Sequence, residues 1–140
     1  MTAHETTLVL VVDDEPEFRS NMIRLLAAAG VLAEAAADGE EALERLATGR
    51  YDVALLDVRM PGMDGVEVVR RIRDKGLDVD AILLTGHASI DDAVQAMNLG
   101  AADYLLKPVR TSTVAGKIAE VRGRRRERLG EQPEPEREEA

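Results

Sequence analysis

The chain has 140 residues, of which 45% are hydrophobic, enough for one globular domain with a single core. Its net charge of -9 argues against a nucleic-acid footprint over most of the surface. The lack of cysteine excludes disulfides, thiolate metal sites and a cysteine nucleophile. No apolar run reaches the roughly 18 residues of a membrane span, and the N-terminus is not typical of a signal peptide. We therefore expect a soluble cytoplasmic protein.

Four short apolar segments predict buried strands, and a weaker segment predicts an edge strand. The four are continuously apolar instead of alternating, which is typical of a parallel sheet covered on both faces. The weaker segment is followed by Glu34 and alanines, as expected at a sheet edge. In chain order the predicted strands are 8–12, 31–33 (the edge strand), 53–56, 81–84 and 104–106.

Amphipathic segments between and after the strands predict five helices. Residues suited to a helix start are Pro16, Asp38 with Glu41, Asp64 with Glu67, and Ser89 with Asp92. Glycines suited to a left-handed helix end are Gly30, Gly49, Gly76 and Gly100. The helix faces that we expect to be buried are Phe18, Met22, Leu25 and Leu26; Ile90, Ala93, Val94 and Met97; and Val114, Ile118 and Val121.

The alternation of five strands and five helices predicts an α/β fold of the (βα)5 type. Right-handed crossovers give a single doubly wound five-stranded parallel sheet, for which the flavodoxin-like strand order 2-1-3-4-5 is the leading choice. We expect an N-terminal extension over residues 1–6, one domain over 7–128, and a disordered acidic tail rich in Pro and Glu over 129–140.

Polar side chains follow the central strands at the edge where open α/β sheets bind ligands. Asp13 and Asp14 follow the first strand, Asp57 the third, Thr85 the fourth and Lys107 the fifth. Taken singly, each of these residues is more often a helix cap or part of a loop. Their joint placement at four strand ends favours a binding site.

The three carboxylates of this group repel one another unless a cation compensates their charge. All the candidate ligands are oxygen atoms, which favours Mg²⁺. Lys107 adds a fixed positive charge and Thr85 a hydroxyl donor, so the site is suited to a phosphoryl group. Asp57 is the candidate nucleophile, because carboxylates can form aspartyl phosphates.

Four motifs carry a resemblance to a known family. They are VVDDE at 11–15, LLDVRMPGMDG at 55–65, LLTG at 83–86 and GAADYLLKP at 100–108. In this order and spacing they resemble the receiver domain of two-component response regulators (CheY-like), over about residues 7–122. The stretch 86–99 is most similar to receivers attached to transcriptional activators of the nitrogen-regulator type.

The resemblance implies a phosphorylation-controlled signalling switch and not an enzyme with a separate substrate. Asp57 would be the phospho-acceptor, and Mg-dependent autodephosphorylation would reset it. Thr85 would donate a hydrogen bond to a phosphoryl oxygen. Lys107 would pair with Asp57 and then with the phosphoryl group. Tyr104 would be the switch aromatic, turning inward as Thr85 moves.

The resemblance also implies a Mg²⁺ site and two features of the backbone around it. Asp13, Asp14, Asp57 and the backbone carbonyl of Arg59 would hold the metal. The peptide bond from Lys107 to Pro108 would be cis. Gly86, which has no side chain, would leave the site open to a phosphodonor.

The implied partners are proteins. A sensor histidine kinase or a histidine phosphotransfer protein would supply the phosphoryl group. The face formed by the fourth helix, fifth strand and fifth helix would contact a downstream protein or a second receiver. We expect no membrane partner and no direct nucleic-acid partner. Only about 18 polar residues follow residue 122, which indicates a stand-alone receiver. The alternative is a receiver excised from a larger transcriptional regulator.

Other function classes fit the residues less well. A phosphatase of the haloacid-dehalogenase type would need Asp-x-Asp after the first strand and a cap domain. A flavodoxin-like electron carrier would need a loop rich in hydroxyl groups and glycine, and aromatic side chains beside the flavin. A pseudo-receiver that only binds is disfavoured by the complete acceptor set.

Arg59 and His87, two residues beyond Asp57 and Thr85, leave alternatives open. The resemblance implies that both positions border the phosphoryl site. The alternative is that both side chains point into solvent, which we favour for His87. One hypothesis is that Arg59 shields the phosphoryl group from water. The basic cluster of Arg122, Arg124, Arg125, Arg126 and Arg128 is likewise open. We favour a solvated helix extension neutralised by the acidic tail over a docking or nucleic-acid patch.

Overall fold

The computed structural model describes residues 7–128 and Gly130, but not the side chains of His87, Arg126 and Arg128. Its strands are β1 (Leu8–Val12), β2 (Leu32–Ala36), β3 (Val53–Asp57), β4 (Asp80–Thr85) and β5 (Asp103–Leu106). Its helices are α1 (Pro16–Ala28), α2 (Gly39–Leu46), α3 (Gly65–Lys75), α4 (Ile90–Asn98) and α5 (Thr111–Arg128). The predicted extension over 1–6 and nearly all of the predicted tail lie outside the described residues.

The five strands form one parallel sheet in the order β2-β1-β3-β4-β5. This confirms the predicted doubly wound α/β fold and its strand order. Val11 pairs in register with Leu55, and Leu55 with Ile82. The carboxyl ends of the three central strands are therefore level, which brings the residues that follow them to one edge.

Alternate side chains of the strands enter two separate cores, one on each face of the sheet. Leu10, Leu56 and Leu83 pack with residues of α2, α3 and α4. Val9 and Leu55, on the other face, pack with residues of α1 and α5. All five are fully buried, and burial of one such aliphatic side chain contributes about 1.5–3 kcal/mol. Burial on both faces explains why the central strands are continuously apolar.

Most of the predicted helix boundaries are confirmed. Pro16 is the first residue of α1. The carboxylates of Asp38 and Asp64 accept hydrogen bonds from the backbone N–H groups of Glu41 and Glu67, at 2.8 and 2.9 Å. The four glycines predicted near helix ends all have positive φ. Each glycine adopts a left-handed backbone conformation that is unfavourable for a residue with a side chain.

Ser89 occupies the predicted position at the start of α4, but the expected capping hydrogen bond is absent. Ser89 directly precedes α4 and ends a short 3-10 turn (His87–Ser89), but its side chain makes no capping hydrogen bond. Its hydroxyl instead accepts a hydrogen bond from Nε of Arg59 at 2.7 Å. A tertiary partner has therefore replaced the local one.

The edge strand β2 begins and ends later in the sequence than predicted. β2 begins at Leu32 and continues to Ala36, beyond the predicted 31–33. The backbone N–H of Val31 donates to Leu26 O, so this residue closes α1 instead of opening the strand. The run of alanines after Glu34 extends the pairing with β1, although its apolar signal is weak.

Two residues predicted to lie on buried helix faces are exposed. Leu25 of α1 is 40% exposed and Val94 of α4 is 47% exposed. In α1, Met22 and Leu26 form the buried stripe. In α4 the buried residues are alanines, Ala93 and Ala96, so the helix packs closely and Val94 remains outside. The predicted core residues of α5 (Val114, Ile118 and Val121) are all buried.

The arginine cluster is not simply a solvated extension of α5. Arg125 is buried and pairs with Asp78 at 2.7 Å and with Asp80 at 3.2 Å. Arg122 and Arg124 pair with other aspartates of the domain body, as salt bridges to Asp52 and Asp103. The favoured interpretation is therefore wrong for the buried Arg125, whereas Arg124 is 46% exposed and also pairs with the domain body.

Within residues 7–128, no helix combines the length and hydrophobicity that a membrane crossing requires. The expected cytoplasmic location stays a prediction.

Candidate functional site

Two carboxylates and one ammonium group meet at the carboxyl edge of the sheet. Asp13 directly follows β1, and Asp57 is the last residue of β3. The backbone N–H of Lys107 donates to Thr85 O at 2.8 Å, which fixes Lys107 beside the end of β4. Its Nζ lies 3.4 Å from Oδ2 of Asp57 and 3.7 Å from Oδ2 of Asp13. Of the residues predicted to converge here, Asp13, Asp57 and Lys107 do so.

Asp14 completes an oxygen cluster that fits a divalent cation. One carboxylate oxygen from each of Asp13, Asp14 and Asp57 lies within 4.8 Å of the others. Asp13 is 1% exposed, and its Oδ2 has no hydrogen-bond partner among the residues that the structure describes, although Oδ1 accepts from Glu15 N–H at 2.9 Å. A buried acceptor without a hydrogen bond is costly, and a metal ion would satisfy it. Three hard oxygen donors beside an open edge fit Mg²⁺.

Burial raises the pKa of the Asp57 carboxyl to about 6. The positive charge of Lys107 opposes this rise, while the negative charge of Asp13 adds to it. The backbone N–H of Arg59 donates to Oδ1 of Asp57 at 3.2 Å and also opposes it. Ionisation of Asp57 is therefore costly without a cation, and a bound cation would relieve that cost.

Thr85 and Tyr104 lie on the same face of the sheet. Thr85 pairs in register with Leu106 and Leu83 pairs with Tyr104, so the two are diagonal neighbours. Thr85 is 1% exposed, and its hydroxyl donates to Gly86 O at 3.1 Å. The Tyr104 ring is partly buried against the core that lies under α4. The structure thus places the two predicted switch residues next to each other.

Both expected features of the backbone around the site are present, whereas the side chains of Arg59 and His87 have different outcomes. The peptide bond from Lys107 to Pro108 is cis, as expected. A Cβ on Gly86 would meet no atom within 4 Å, which agrees with an open approach to the site. The side chain of Arg59 does not simply point into solvent, because its Nε reaches the buried hydroxyl of Ser89. The side chain of His87 is outside the described part of the chain.

Two residues of the site were not recognised as such from the sequence. Gly65 opens α3 against β3, where a Cβ would lie 2.7 Å from the carbonyl oxygen of Asp57. Its position directly after the helix cap Asp64 is the sequence signal that could have identified it. The ring of Phe18, which was assigned to the core face of α1, lies 5.0 Å from Nζ of Lys107. No local sequence signal predicts this contact.

The fold and the acidic edge together define a CheY-like α/β domain, and comparison with known proteins gives its family. The family model of the response regulator receiver domain matches residues 9–119. The chain belongs to this family, whose members are the receiver domains of two-component systems.

Curated relatives extend beyond the matched region. Response regulator MprA of Mycobacterium ulcerans (strain Agy99) is 44% identical over 100 residues, which cover 71% of this chain and 43% of MprA. Transcriptional regulatory protein DltR of Streptococcus agalactiae serotype III (strain NEM316) is 37% identical over 110 residues, or 79% and 49% of the two chains. The chain thus matches a little under half the length of these relatives.

Solved structures show the same fold. A response regulator receiver domain protein from Clostridium thermocellum has a TM-score of 0.81 at 31% identity, covering 86% of this chain and 97% of that one. Full-length FixJ from B. japonicum has a TM-score of 0.78 at 31% identity, covering 82% of this chain and 57% of FixJ.

Proposed function

We propose that the domain is a signalling switch in which Asp57 accepts a phosphoryl group from a phosphohistidine. The donor would be a sensor histidine kinase or a histidine phosphotransfer protein. The observation that carries the proposal is the environment of Asp57 at the open sheet edge. A lysine ammonium lies 3.4 Å from its carboxylate, and two further carboxylates lie within 4.8 Å.

In the transfer, a carboxylate oxygen of Asp57 bonds to phosphorus and the bond from phosphorus to the donor's imidazole nitrogen breaks. The imidazole leaves with the electron pair and takes up a proton. Reset requires water to attack phosphorus, which releases inorganic phosphate and regenerates the carboxylate. The domain's only chemistry would then be on its own side chain. That it is no enzyme for a separate substrate stays a prediction.

The residues around Asp57 have separate roles in this reaction. Asp13, Asp14, Asp57 and the backbone carbonyl of Arg59 would hold Mg²⁺, which would neutralise charge on the phosphoryl oxygens. Lys107 already lies beside the acceptor and would pair with the phosphoryl group.

The switch would pass through Thr85. Its hydroxyl donates to Gly86 O in the structure and would donate to a phosphoryl oxygen after transfer. The movement of Thr85 would make room for its diagonal neighbour Tyr104 to turn inward. A phosphoryl group that contacts Thr85 and Lys107 only in one state would shift a two-state equilibrium toward that state.

The output would use the face formed by α4, β5 and α5. Val94 and Leu106 expose apolar side chains on it, 47% and 39% exposed, as a protein partner or a second receiver would require. The name of DltR supports the alternative that the domain controls transcription as part of a longer regulator. That relationship argues against the expectation of no nucleic-acid output. The stand-alone expectation is not confirmed.

Intact-mass spectrometry after incubation with Mg²⁺ and acetyl phosphate tests this proposal. We expect one added phosphoryl group, which chelation with EDTA prevents. Asp57→Asn should abolish the adduct, whereas Asp74→Asn, an exposed control on α3, should retain it. An adduct of equal yield in Asp57→Asn, or no adduct in the wild-type protein, would contradict the proposal.

A further inference from the structure

A hydrogen bond ties the loop after Asp57 to the start of α4. Nε of Arg59 donates to Oγ of Ser89 at 2.7 Å, across 30 positions of the sequence. Ser89 is 3% exposed, so the bond is held away from water at its acceptor end. A hydrogen bond from a charged donor to a sheltered acceptor is stronger than a neutral one.

The hydroxyl of Ser89 bonds to Arg59 instead of capping α4. Serine directly before a helix ordinarily accepts from a backbone N–H of the first turn, but the Ser89 hydroxyl makes no such bond. Asp38 and Asp64 occupy the equivalent positions before α2 and α3, and their side chains do cap these helices. The hydroxyl of Ser89 is therefore engaged by Arg59 and not by the first turn of α4.

The contact is part of a chain of hydrogen bonds that leads from the acceptor carboxylate to the switch hydroxyl. The backbone N–H of Arg59 donates to Asp57, and its side chain donates to Ser89. The backbone N–H of Ser89 donates to Gly86 O at 3.0 Å, and the same carbonyl accepts from Thr85 Oγ1. One connected network thus joins Asp57, Arg59, Ser89 and Thr85.

The charge of Arg59 has no carboxylate partner in the part of the chain that the structure describes. Among residues 7–128 with described side chains, no Asp or Glu lies within ion-pair distance of its guanidinium, which has only the neutral hydroxyl of Ser89. A phosphoryl group on Asp57, two residues away, would be a far better partner for a guanidinium.

We propose that Arg59 and Ser89 form a latch that holds the start of α4 in the resting position and that a phosphoryl group on Asp57 opens. Ser89 is a positioning residue for Arg59. In the phosphorylated domain the guanidinium moves to the phosphoryl oxygens, and Thr85 leaves Gly86 O for the same group. The hydrogen bond from Arg59 to Ser89 and the hydrogen bond from Thr85 to Gly86 O are then broken together. This inference rests on the proposed function of Asp57.

Nuclear magnetic resonance of the Arg59 side chain tests the latch in the resting protein, whatever the outcome of phosphorylation. The Nε–H signal of Arg59 should be slow to exchange with water in the wild type. Ser89→Ala should shift this signal and speed its exchange, whereas Ser112→Ala, an exposed serine in the first turn of α5, should not. An Arg59 signal that exchanges rapidly, or that is indifferent to Ser89→Ala, would overturn the proposal.

Binding of the phosphoryl mimic beryllofluoride, with Mg²⁺ present, tests the opening. Because Ser89→Ala removes an interaction of the resting state alone, we expect it to tighten binding by roughly three- to tenfold. In an Arg59→Gln background the same substitution should change binding less than twofold, about the additivity error for independent sites. Weaker binding by Ser89→Ala would mean that Ser89 does not favour the resting state, and an equal effect in both backgrounds would show that it acts without Arg59; either result would overturn the proposal.

Failure of the proposed function would give a different pattern. If wild-type protein bound no beryllofluoride, the phosphoryl switch and the opening step would both be wrong. The resting-state Arg59 signal would still report whether the contact exists. If wild-type protein bound the mimic and Ser89→Ala had no effect, the latch alone would be wrong.

Discussion

Nζ of Lys107 lies 3.4 Å from Oδ2 of Asp57, and this lysine is the only cation in ion-pair contact with that carboxylate among the described side chains. The same ammonium is shared with the buried Asp13. With Asp14, the cluster holds three carboxylates against one ammonium, so two negative charges are left uncompensated when all are ionised. A divalent cation would balance the site, which explains why hard oxygen ligands and a single lysine occur together here.

Removing the positive charge at position 107 should raise the pKa of Asp57 above its value of about 6, because Lys107 opposes the effect of burial. Lys107→Met keeps much of the side-chain length without the charge. A carbon-13 titration of the Asp57 carboxyl would measure the change. Lys75→Met, at the exposed end of α3, should leave the pKa unchanged. A fall in the Asp57 pKa of Lys107→Met would contradict this account.

Asp57→Asn should stabilise the metal-free domain at alkaline pH. The folded-state pKa of about 6 exceeds the ordinary value of 3.8, so ionisation of Asp57 opposes folding. This cost is absent below pH 3.8, grows between the two pKa values and is complete above the folded one. After allowance for solvent screening, we expect a gain of about 1–2 kcal/mol at pH 8 that fades toward pH 4.

Urea unfolding with EDTA present, at pH 8, 6 and 4.5, would measure this gain. Asp74→Asn is the control, because its carboxylate is exposed. A stabilisation that grew as the pH fell would have the wrong sign.

Mg²⁺ should raise the melting temperature of the wild-type domain, because a ligand of the folded state alone stabilises it. At one hundred times the dissociation constant, the stabilisation is about 2.7 kcal/mol. Asp14→Asn should remove most of this effect without harming the metal-free fold, since Asp14 is exposed. Differential scanning fluorimetry across a Mg²⁺ series would measure it, and an undiminished effect in Asp14→Asn would exclude this residue as a ligand.

Phe18→Leu should loosen Lys107 while retaining an apolar residue on α1. The ring lies 5.0 Å from Nζ, a distance at which a cation and an aromatic face attract by about 0.5–1 kcal/mol. We expect slower phosphorylation by acetyl phosphate, by roughly two- to fivefold. Phe18→Tyr, which preserves the aromatic face, should restore the rate. Equal rates for the Leu and Tyr variants would show that only side-chain volume matters.

Arg125→Met should destabilise the domain by about 2–4 kcal/mol, because it removes a buried positive charge that faces the largely buried carboxylate of Asp80. Arg125 is buried and pairs with Asp80, whose side chain is 13% exposed. Arg124→Met, in which a 46% exposed side chain is replaced, should cost under about 1 kcal/mol. Chemical unfolding of the two variants makes the comparison. A similar small cost for both would mean that Arg125 is only a surface charge.

The sequence predicts the strand order and the site because both depend on short local patterns. Continuous apolar segments identified the three inner strands and the edge strand β5, and the residues at the ends of the inner strands reached one edge because the register is level. β2 was misplaced because alanines carry little apolar signal, and its pairing with β1 decides its extent.

Contacts between distant segments could not be predicted in the same way. Ser89 has the side chain and the position expected of a helix cap, but its hydroxyl accepts a hydrogen bond from Arg59, 30 positions earlier in the sequence. From the sequence, Arg125 is one residue of a solvated basic segment. Its ion pairs with Asp78 and Asp80 form only in the folded domain. In each case a local propensity of a few tenths to about 1 kcal/mol gives way to a tertiary partner.

The most direct test of the central claim is to locate the phosphoryl group. Borohydride reduces an aspartyl phosphate to homoserine, which peptide mass spectrometry then places in the sequence. After treatment with Mg²⁺ and acetyl phosphate, we expect homoserine at position 57 and aspartate at positions 13 and 14. Homoserine at Asp13 or Asp14, or at none of the three, would contradict the assignment of Asp57 as the phospho-acceptor.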